Sequence, residues 1–566
     1  MKAPPPHSYS LRRNMRAITF SEPSSQEVDF SASRIRIAVI MAISIGVIVP
    51  AVFWGIPSSR DLDNHFRFAL PFFDALAHGH WYPGWLAESN GGYGDPSFRF
   101  YPPAVYYVMA AMRWLTGSWY QASLLTFCLL SALAGVGMYF WARSIFSATT
   151  AMWAAIFYSL APYHLNQLYQ SFLLAEYAAA AILPFAFGFV ERVCQKRRWS
   201  YVAGLGAVYA LLLLTHLPLT IIGSFALLAY AGLRIEKTHI LETLKKLSVA
   251  FVLGFAASAC YWVTMIAELR WIAINHVEVD SSVDYRTNFL FSTFSPANLN
   301  VWWMNILTVM TLLMIAPAAI LIFHRLNSRA VKAIVGLSLF TFFMASPLSY
   351  PVWKVLPPLQ QTQFPWRWLA LFSMAASMLA AAAVPVWISQ RQRVNRAMVL
   401  LVFGLVFIGL SFTLSHVVRE AMYLKASQFD SNLAHIRGSE SVNYWIPIWA
   451  RLRPQPMQSQ IEASDRLVTV RSWQPERRSF DIAEGSATEA RVKTFYYPHW
   501  IATSGEQVLR TRPASDGALL ISLPQQAATV NLDFREPPRT RIAAGISALG
   551  WLSIGAFAIP WRRRKR

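Results

Sequence analysis

An acidic pair, Asp61 and Asp63, followed at once by His65, opens a stretch at 61–107 that is dense in ionisable and aromatic groups. Arg67, His78, His80, Glu88, Asp95 and Arg99 lie in the same stretch among Trp81, Trp85 and several tyrosines, far more than a connecting loop needs. A partly desolvated carboxylate here could act as a general base, taking the proton from an attacking hydroxyl. The plainer role for Asp61 is to cap a helix running through FRFALPFFDALAHG. A third possibility is that Asp61, Asp63 and His65 hold a divalent cation, Mg or Mn, through hard ligands.

Three further groups stand where apolar sequence makes them costly. Glu176, in SFLLAEYAAAAILP, is a carboxylate just inside an apolar run, a functional candidate that could equally be a protonated interhelical partner or snorkel to the surface. His216 sits at a proline-associated break, where a lone histidine is more often structural. Arg367, in QTQFPWRWLA, offers a planar fork suited to phosphate, or else a charge snorkelling between two tryptophans.

The elements that must position these groups are membrane helices. The chain has 566 residues, 55% hydrophobic and 14% charged, with mean hydropathy +0.35, more apolar surface than a soluble core absorbs. Its net charge of +21 comes in short clusters between apolar runs, which fits the positive-inside rule rather than a nucleic-acid partner. Cys128, Cys194 and Cys260 are too far apart to frame disulfides or a metal site.

About twelve spans are expected, between residue 36 and residue 560. The segment 1–35 reads as a disordered cytoplasmic tail, 36–417 as a multi-span membrane domain with its first outer loop at 57–119, and 541–566 as a last span with a basic cytoplasmic tail. Twelve spans place the basic clusters at 191–198, 234–246, 324–332, 389–396 and 562–566 on one side. That parity requires 201–233 to be two spans broken at 215–218, and 102–117 to lie in the interface without crossing. The loops 57–119, 268–299, 347–364 and 418–540 then share the outer face, together with Asp61, Asp63, His65, Glu176, His216 and Arg367. Within 418–540 the runs RLVTVRSW, RSFDIAEG, EARVKTFYY, GALLISL and ATVNLDF alternate as strands do, predicting an extracytoplasmic antiparallel β-sandwich. No GxxxxGK[ST], HExxH or GxSxG motif occurs, so ATP-driven transport, zinc proteolysis and serine hydrolysis lack their signatures.

At this point the residues become familiar. The 61–107 stretch resembles the GT-C superfamily of polytopic membrane glycosyltransferases. It is most similar to the bacterial membrane-protein family labelled 6-pyruvoyl-tetrahydropterin synthase related. Asp61 and His65 match an acidic residue four positions before a histidine, 80–85 (HWYPGW) a second element, and 92–107 (GYGDPSFRFYPPAVYY) a third. LLAEYAAAAILPF around Glu176, THLP at 215–218, FPWRWL at 364–369, NYWIP at 443–447 and YYPHW at 496–500 also look like family elements. The chain departs from the pattern at Asp95, at Ser171 and Phe172, and at His499. The pterin label finds no three-histidine zinc set.

The resemblance implies a GT-C-like α-helical fold in a bacterial inner membrane, with both termini cytoplasmic. It implies transfer of a sugar from a polyprenyl-phosphate donor to a glycan, lipid or protein acceptor on the outer face, with inversion at the anomeric carbon. Asp61 or Asp63 would be the base, and His65, Tyr93, Asp95, Tyr101, Glu176, His216 and Arg367 would bind substrate. Arg367 or a cation would stabilise the departing lipid phosphate. Two other classes remain: a lipid or glycan flippase without chemistry, which predicts pseudo-symmetric halves, and a non-catalytic envelope-assembly protein, which tolerates loss of both aspartates.

Overall fold

The computed structural model describes residues 30–273, 284–295, 298–323, 328–390, 395–438, 445–451, 454–486 and 488–559. Most of the expected N-terminal tail, the terminal basic run, Asn443 and Tyr444 of NYWIP, and parts of the basic clusters at 324–332 and 389–396 lie outside these residues.

Among the described residues, six helices are long and apolar enough to cross a membrane: Trp119–Ala142, Leu174–Lys196, Leu217–Arg234, Pro365–Ser389, Arg396–Arg419 and Pro538–Ala558. Two bent pairs raise the number to eight, Lys237–Ala257 with Ala259–Trp271 at 70° and Arg329–Ala345 with Pro347–Val355 at 82°. The expectation of about twelve came from apolar runs, and several of these are cut short by proline. The run at 36–56 divides into Phe30–Gly46 and Val49–Trp54, with Pro50 in the first turn of the second piece. The run at 148–163 stops at Ser159, and Pro162 starts a new helix. Proline favours a first turn and cannot accept continuation from the turn before, so hydropathy persists where the helix does not.

The expected break at 215–218 and a short helix within 102–117 are present, whereas Trp199–Leu213, with 15 residues, is itself shorter than a span. Trp199–Leu213 ends before a break, and Leu217–Arg234 begins with His216 as its N-cap, Nδ1 accepting from Leu219 N–H at 3.2 Å. The Ala104–Thr116 helix has 13 residues, about 20 Å at 1.5 Å per residue, short of the ~30 Å hydrocarbon core.

Leu174–Lys196 and Pro365–Ser389 are the central helices, their most apolar windows 78% and 89% buried, against 17% for the peripheral Arg396–Arg419. Small residues permit this: Ala178, Ala179, Ala180 and Ala181 in the first, Ala380, Ala381, Ala382 and Ala383 in the second, all buried. Pro184 removes the N–H that the Ala180 carbonyl would otherwise receive, and the Tyr158 hydroxyl donates to that carbonyl instead at 2.9 Å. The helix therefore stays satisfied through its own proline.

The segment 418–540 divides. Its start returns to the membrane domain: β2 (Met422–Leu424) pairs antiparallel with β1 (Ile56–Ser58), and the Ala426–Gly438 helix packs on the Arg60–Ala77 helix. The described residues of the remainder hold nine strands: β3 (Ile461–Glu462), β4 (Val468–Trp473), β5 (Arg477–Ile482), β6 (Glu489–Phe495), β7 (Trp500–Ser504), β8 (Gln507–Leu509), β9 (Thr511–Pro513), β10 (Ala518–Ser522) and β11 (Ala528–Phe534). They form antiparallel sheets ordered β3-β6-β10-β9 and β4-β5-β11-β7-β8. Alternate residues such as Phe480, Ile482, Ala490, Val492, Val530 and Leu532 point into one shared core.

That core is completed by the first loop. Trp85 and Tyr93 are buried in it, and the Tyr93 carbonyl accepts from Phe495 N–H at 2.8 Å. Gly94 has φ +72°, and a Cβ there would collide with the Trp85 indole, so the turn needs glycine. Beneath it, Glu268 is fully buried and accepts from Arg99 Nε (2.5 Å) and Nη2 (2.8 Å), Tyr497 hydroxyl (2.7 Å) and Arg539 Nη2 (2.7 Å), with His499 Nε2 at 3.0 Å. One carboxylate thus joins the first loop, the bent 259–271 helix, the β-region and the last helix. His499, a departure from the family pattern, is part of this joint.

Candidate active site at the Glu176 end of the central helices

The Arg60–Ala77 helix starts after Ser59 and makes no side-chain cap; Asp61 and Asp63 occupy its first turn, where the helix dipole favours carboxylates. Two residues apart on a helix is about 200°, so the aspartates point to opposite sides. Asp61 shares a face with His65, one turn on. Asp63 faces the Ala426–Gly438 helix, accepting from Asn432 Nδ2 at 2.9 Å.

Asp61 is partly buried and accepts from Asn64 Nδ2 at 3.2 Å; its other oxygen is hydrogen-bonded to no described residue. Burial raises its pKa above the ordinary aspartate value; the Asn64 hydrogen bond and the Arg367 charge oppose the rise, and the Glu176 charge adds to it. His65 is buried, its Nδ1 2.9 Å from the Tyr106 hydroxyl, and burial pushes its pKa down to about 3, so the ring is neutral. Tyr101 stacks on Phe68 at 4.9 Å between ring centres; burial raises its phenol pKa, as does the Asp61 charge.

Glu176 and Arg367 form the floor. Each heads one of the two central helices, and Arg367 Nε donates to Glu176 Oε2 at 2.9 Å. Glu176 Oε1 accepts from the Tyr163 hydroxyl at 2.6 Å and Gln167 Nε2 at 2.9 Å. Arg367 Nη1 donates to the Thr362 carbonyl, and the guanidinium lies 4.8 Å from the centre of the Phe364 ring. Its Nη2 makes no hydrogen bond to a described residue. His216 Nδ1 already accepts from Leu219, so in the neutral ring Nε2 carries the proton.

Of the residues expected from sequence, Asp61, His65, Tyr101, Glu176, His216 and Arg367 share this region. Three others lie elsewhere. Asp63 is on the far face of its helix. Tyr93 is in the β-core, its hydroxyl donating to the Gln455 carbonyl at 2.7 Å. Asp95 is fully buried within the loop, accepting from Asn90 Nδ2 at 3.2 Å and Ser97 N–H at 2.8 Å. The reading of Asp61, Asp63 and His65 as a cation site does not fit this arrangement, because the helix turns Asp63 away. Among the described residues no three His, Cys, Asp or Glu side chains are grouped to hold a metal.

Sequence reasoning passed over Tyr163, Gln167 and Tyr106. Tyr163 and Gln167 are four apart on the Pro162–Tyr169 helix, and the polar spacing in PYHLNQLY, beside an apolar run, was the available signal.

Comparison with known proteins follows this geometry. No curated protein sequence matches the chain. Among solved structures, ArnT of Cupriavidus metallidurans bound to undecaprenyl phosphate overlaps 73% of this chain and 78% of its own at 13% identity and TM-score 0.38. Arabinofuranosyltransferase AftD from Mycobacteria overlaps 68% of this chain at 16% identity and TM-score 0.43, and the chain spans only 28% of AftD. The Archaeoglobus fulgidus oligosaccharyltransferase overlaps 74% at 12% identity and TM-score 0.37, with 57% of its own length covered. A family model, the 6-pyruvoyl-tetrahydropterin synthase related domain described as a membrane protein, matches residues 98–417. That match takes in more than half of the chain, including Tyr101, Glu176, His216 and Arg367, and the protein belongs to this membrane-protein family.

Proposed function

We propose that this protein is a membrane glycosyltransferase that moves a sugar from a polyprenyl-phosphate donor to a hydroxyl of an acceptor on the outer face of a bacterial inner membrane. The observation that carries the reading is Asp61. It is a desolvated carboxylate with a raised pKa and an oxygen bonded to no described residue, set beside a buried arginine with a spare donor. A raised pKa makes a carboxylate a better proton acceptor.

In the reaction the acceptor oxygen attacks the anomeric carbon, the bond from that carbon to the lipid-phosphate oxygen breaks, and the hydroxyl proton passes to Asp61. One displacement inverts the anomeric centre. The phosphate leaves with the electron pair and is met by Arg367 Nη2 and His216 Nε2–H, donors placed where charge develops. Neutral His65, hydrogen-bonded to Tyr106, shares the helix face of Asp61, and the paired Glu176 fixes the plane of the guanidinium.

The test is incubation of the detergent-purified protein with radiolabelled polyprenyl-phosphate sugars and an envelope extract, for wild type and Asp61→Asn. Label transfer by wild type, reduced about 10²–10⁴-fold in a folded Asp61→Asn, supports the reading. Absence of donor consumption across the panel overturns it.

A further inference from the structure

At the end of the bundle opposite Glu176, two arginines approach each other with no carboxylate between them. Arg143 caps the end of the Trp119–Ala142 helix, and Arg192 lies in the last two turns of Leu174–Lys196, about 24 Å along the axis from Glu176. We propose that this pair holds the phosphate of an anionic membrane lipid, whose acyl chain lies along an aromatic stripe on the same helices.

The first observation is that both guanidinium groups are fixed in place and not neutralised. Arg192 donates through Nη1 to the Gly188 carbonyl and through Nη2 to the Phe140 carbonyl, each at 3.0 Å, and lies 3.6 Å from the centre of the Phe140 ring. Arg143 donates through Nη1 to the Phe146 carbonyl at 3.0 Å. Neither forms a salt bridge to a described residue, and the two charges are near enough to repel each other. Glu191, beside Arg192 in the chain, is fully buried and taken up by Arg234, Tyr230 and Gln195. A phosphate between the two arginines removes the repulsion and gains charge-assisted hydrogen bonds. With no unpaired carboxylate beside them, the arginines can hold an anion and have no base to move a proton.

The second observation is access. Both side chains are half-buried, and Arg143 Nε and Nη2 and Arg192 Nε bond to no described residue. None of these three donors is enclosed, so phosphate oxygens can reach them from the membrane surface.

The third observation is what lies beneath. Phe140, Phe185 and Phe189 are half-buried, with the Phe140 ring centre 5.5 Å from that of Phe185 and 4.9 Å from that of Phe189. Each ring is sunk against a glycine of a neighbouring helix. A Cβ would come within 2.7 Å of Phe185 at Gly137, 2.6 Å of Phe140 at Gly188 and 2.3 Å of Phe189 at Gly204. Phe185 is two turns from Arg192, about 10 Å deeper along the helix, so the stripe runs from the arginines toward the bilayer centre. An apolar stripe alone does not name its occupant. Cationic donors at one end and phenyl rings along the next two turns match one molecule, a lipid with an anionic head.

The experiment equilibrates the full chain in detergent with equal amounts of phosphatidylglycerol and phosphatidylcholine and counts retained lipid by native mass spectrometry. Wild type is expected to prefer phosphatidylglycerol at least about tenfold, and Arg143→Gln with Arg192→Gln to lose that preference. Arg143→Gln alone, a change at a half-buried helix cap, is expected to lower it about threefold, which keeps the test open if the double variant does not fold. Lys196→Gln with Arg198→Gln removes as much charge from exposed positions at the same end, and is expected to change the preference less than about twofold. Phosphatidylglycerol with a diazirine in its acyl chain is expected to label within 133–140, 182–189 or 201–208 of wild type. Equal retention of both lipids, equal loss in the two double variants, or labelling absent from all three segments overturns the site. Displacement of the lipid by inorganic phosphate alone makes this a phosphate site and overturns the lipid assignment. Lipid retention is expected to be unchanged in Asp61→Asn, so the result stands apart from sugar transfer.

Discussion

The Leu174–Lys196 helix carries a buried glutamate near each end, and the two are built alike. Glu176 accepts from Arg367 at 2.9 Å and Tyr163 at 2.6 Å; Glu191 accepts from Arg234 at 2.5 Å and Tyr230 at 2.7 Å. Both are essentially inaccessible to solvent. What differs is the company. Around Glu191 the basic clusters converge: Lys246 donates to the Arg197 carbonyl and Arg329 to the Ile235 carbonyl. Arg234, Tyr230, Lys246 and Arg329 each have a structural partner there. Around Glu176 stand groups of another kind: Asp61 with a raised pKa and neutral His65 and His216. A buried Glu–Arg–Tyr set is therefore no mark of catalysis by itself. Spare polar capacity beside it is the mark.

Substitutions at the two ends sharpen this contrast, and the largest effect is expected on chemistry. Glu176→Gln keeps the shape of the floor but releases Arg367, and transfer is expected to fall at least about 10²-fold in protein that remains folded. Glu191→Gln is expected to leave transfer per folded molecule within about threefold, because its effect is confined to stability. Equal loss at both ends would break the comparison.

Stability responds at both ends. Glu176→Ala and Glu191→Ala each leave a buried guanidinium without its counter-charge, expected to cost about 3–5 kcal/mol, read as a lowered Tm in detergent. Replacing the Glu191 pair together, Glu191→Met with Arg234→Leu, is expected to recover most of that loss. The matching double change, Glu176→Met with Arg367→Leu, recovers stability and not transfer.

The two ends also differ with pH. Asp61 must be ionised to take a proton, and its pKa is raised, so kcat/KM is expected to fall on the acid side at a pH above the ordinary aspartate value of 3.8. His65 folds neutral with a pKa of about 3 against 6.5 unfolded. The unfolded chain therefore binds the extra proton first, so the stability this site contributes is whole above pH 6.5 and declines as pH falls toward 3, by up to about 1.4 kcal/mol per unit. His65→Gln is expected to flatten that decline in a thermal-shift series.

Much of this arrangement was legible in the residues. Uneven hydropathy and basic clusters identify a membrane domain, strand alternation locates β4, β5, β6, β10 and β11 but not the short β7 to β9, and proline at 218 marks the break that places His216. Asp61, His65, Glu176 and Arg367 could be gathered on one side from run parity alone. The choice between Asp61 and Asp63 was not legible, because it depends on whether 60–77 is helical: on a loop both point inward, on a helix one does. Tyr93 and Asp95 belong to the same sequence signature as Tyr101, yet 85–95 folds with the β-core while Tyr101 stays with the helices. A signature records what lies adjacent along the chain, whereas Trp85 and Tyr93 are placed by partners some four hundred residues away. The count of about twelve spans rests on apolar runs, and where proline divides a run hydropathy alone does not say how the pieces cross.

The most direct test of the central claim compares Asp61→Asn with Asp63→Asn in the sugar-transfer assay, at matched folded concentration. Asp61 feels the charge of the buried arginine and Asp63 is bonded to Asn432, so transfer is expected to fall about 10²–10⁴-fold in the first and by less than about threefold in the second. Full activity in Asp61→Asn, or loss in Asp63→Asn alone, would contradict the assignment of Asp61 as the base.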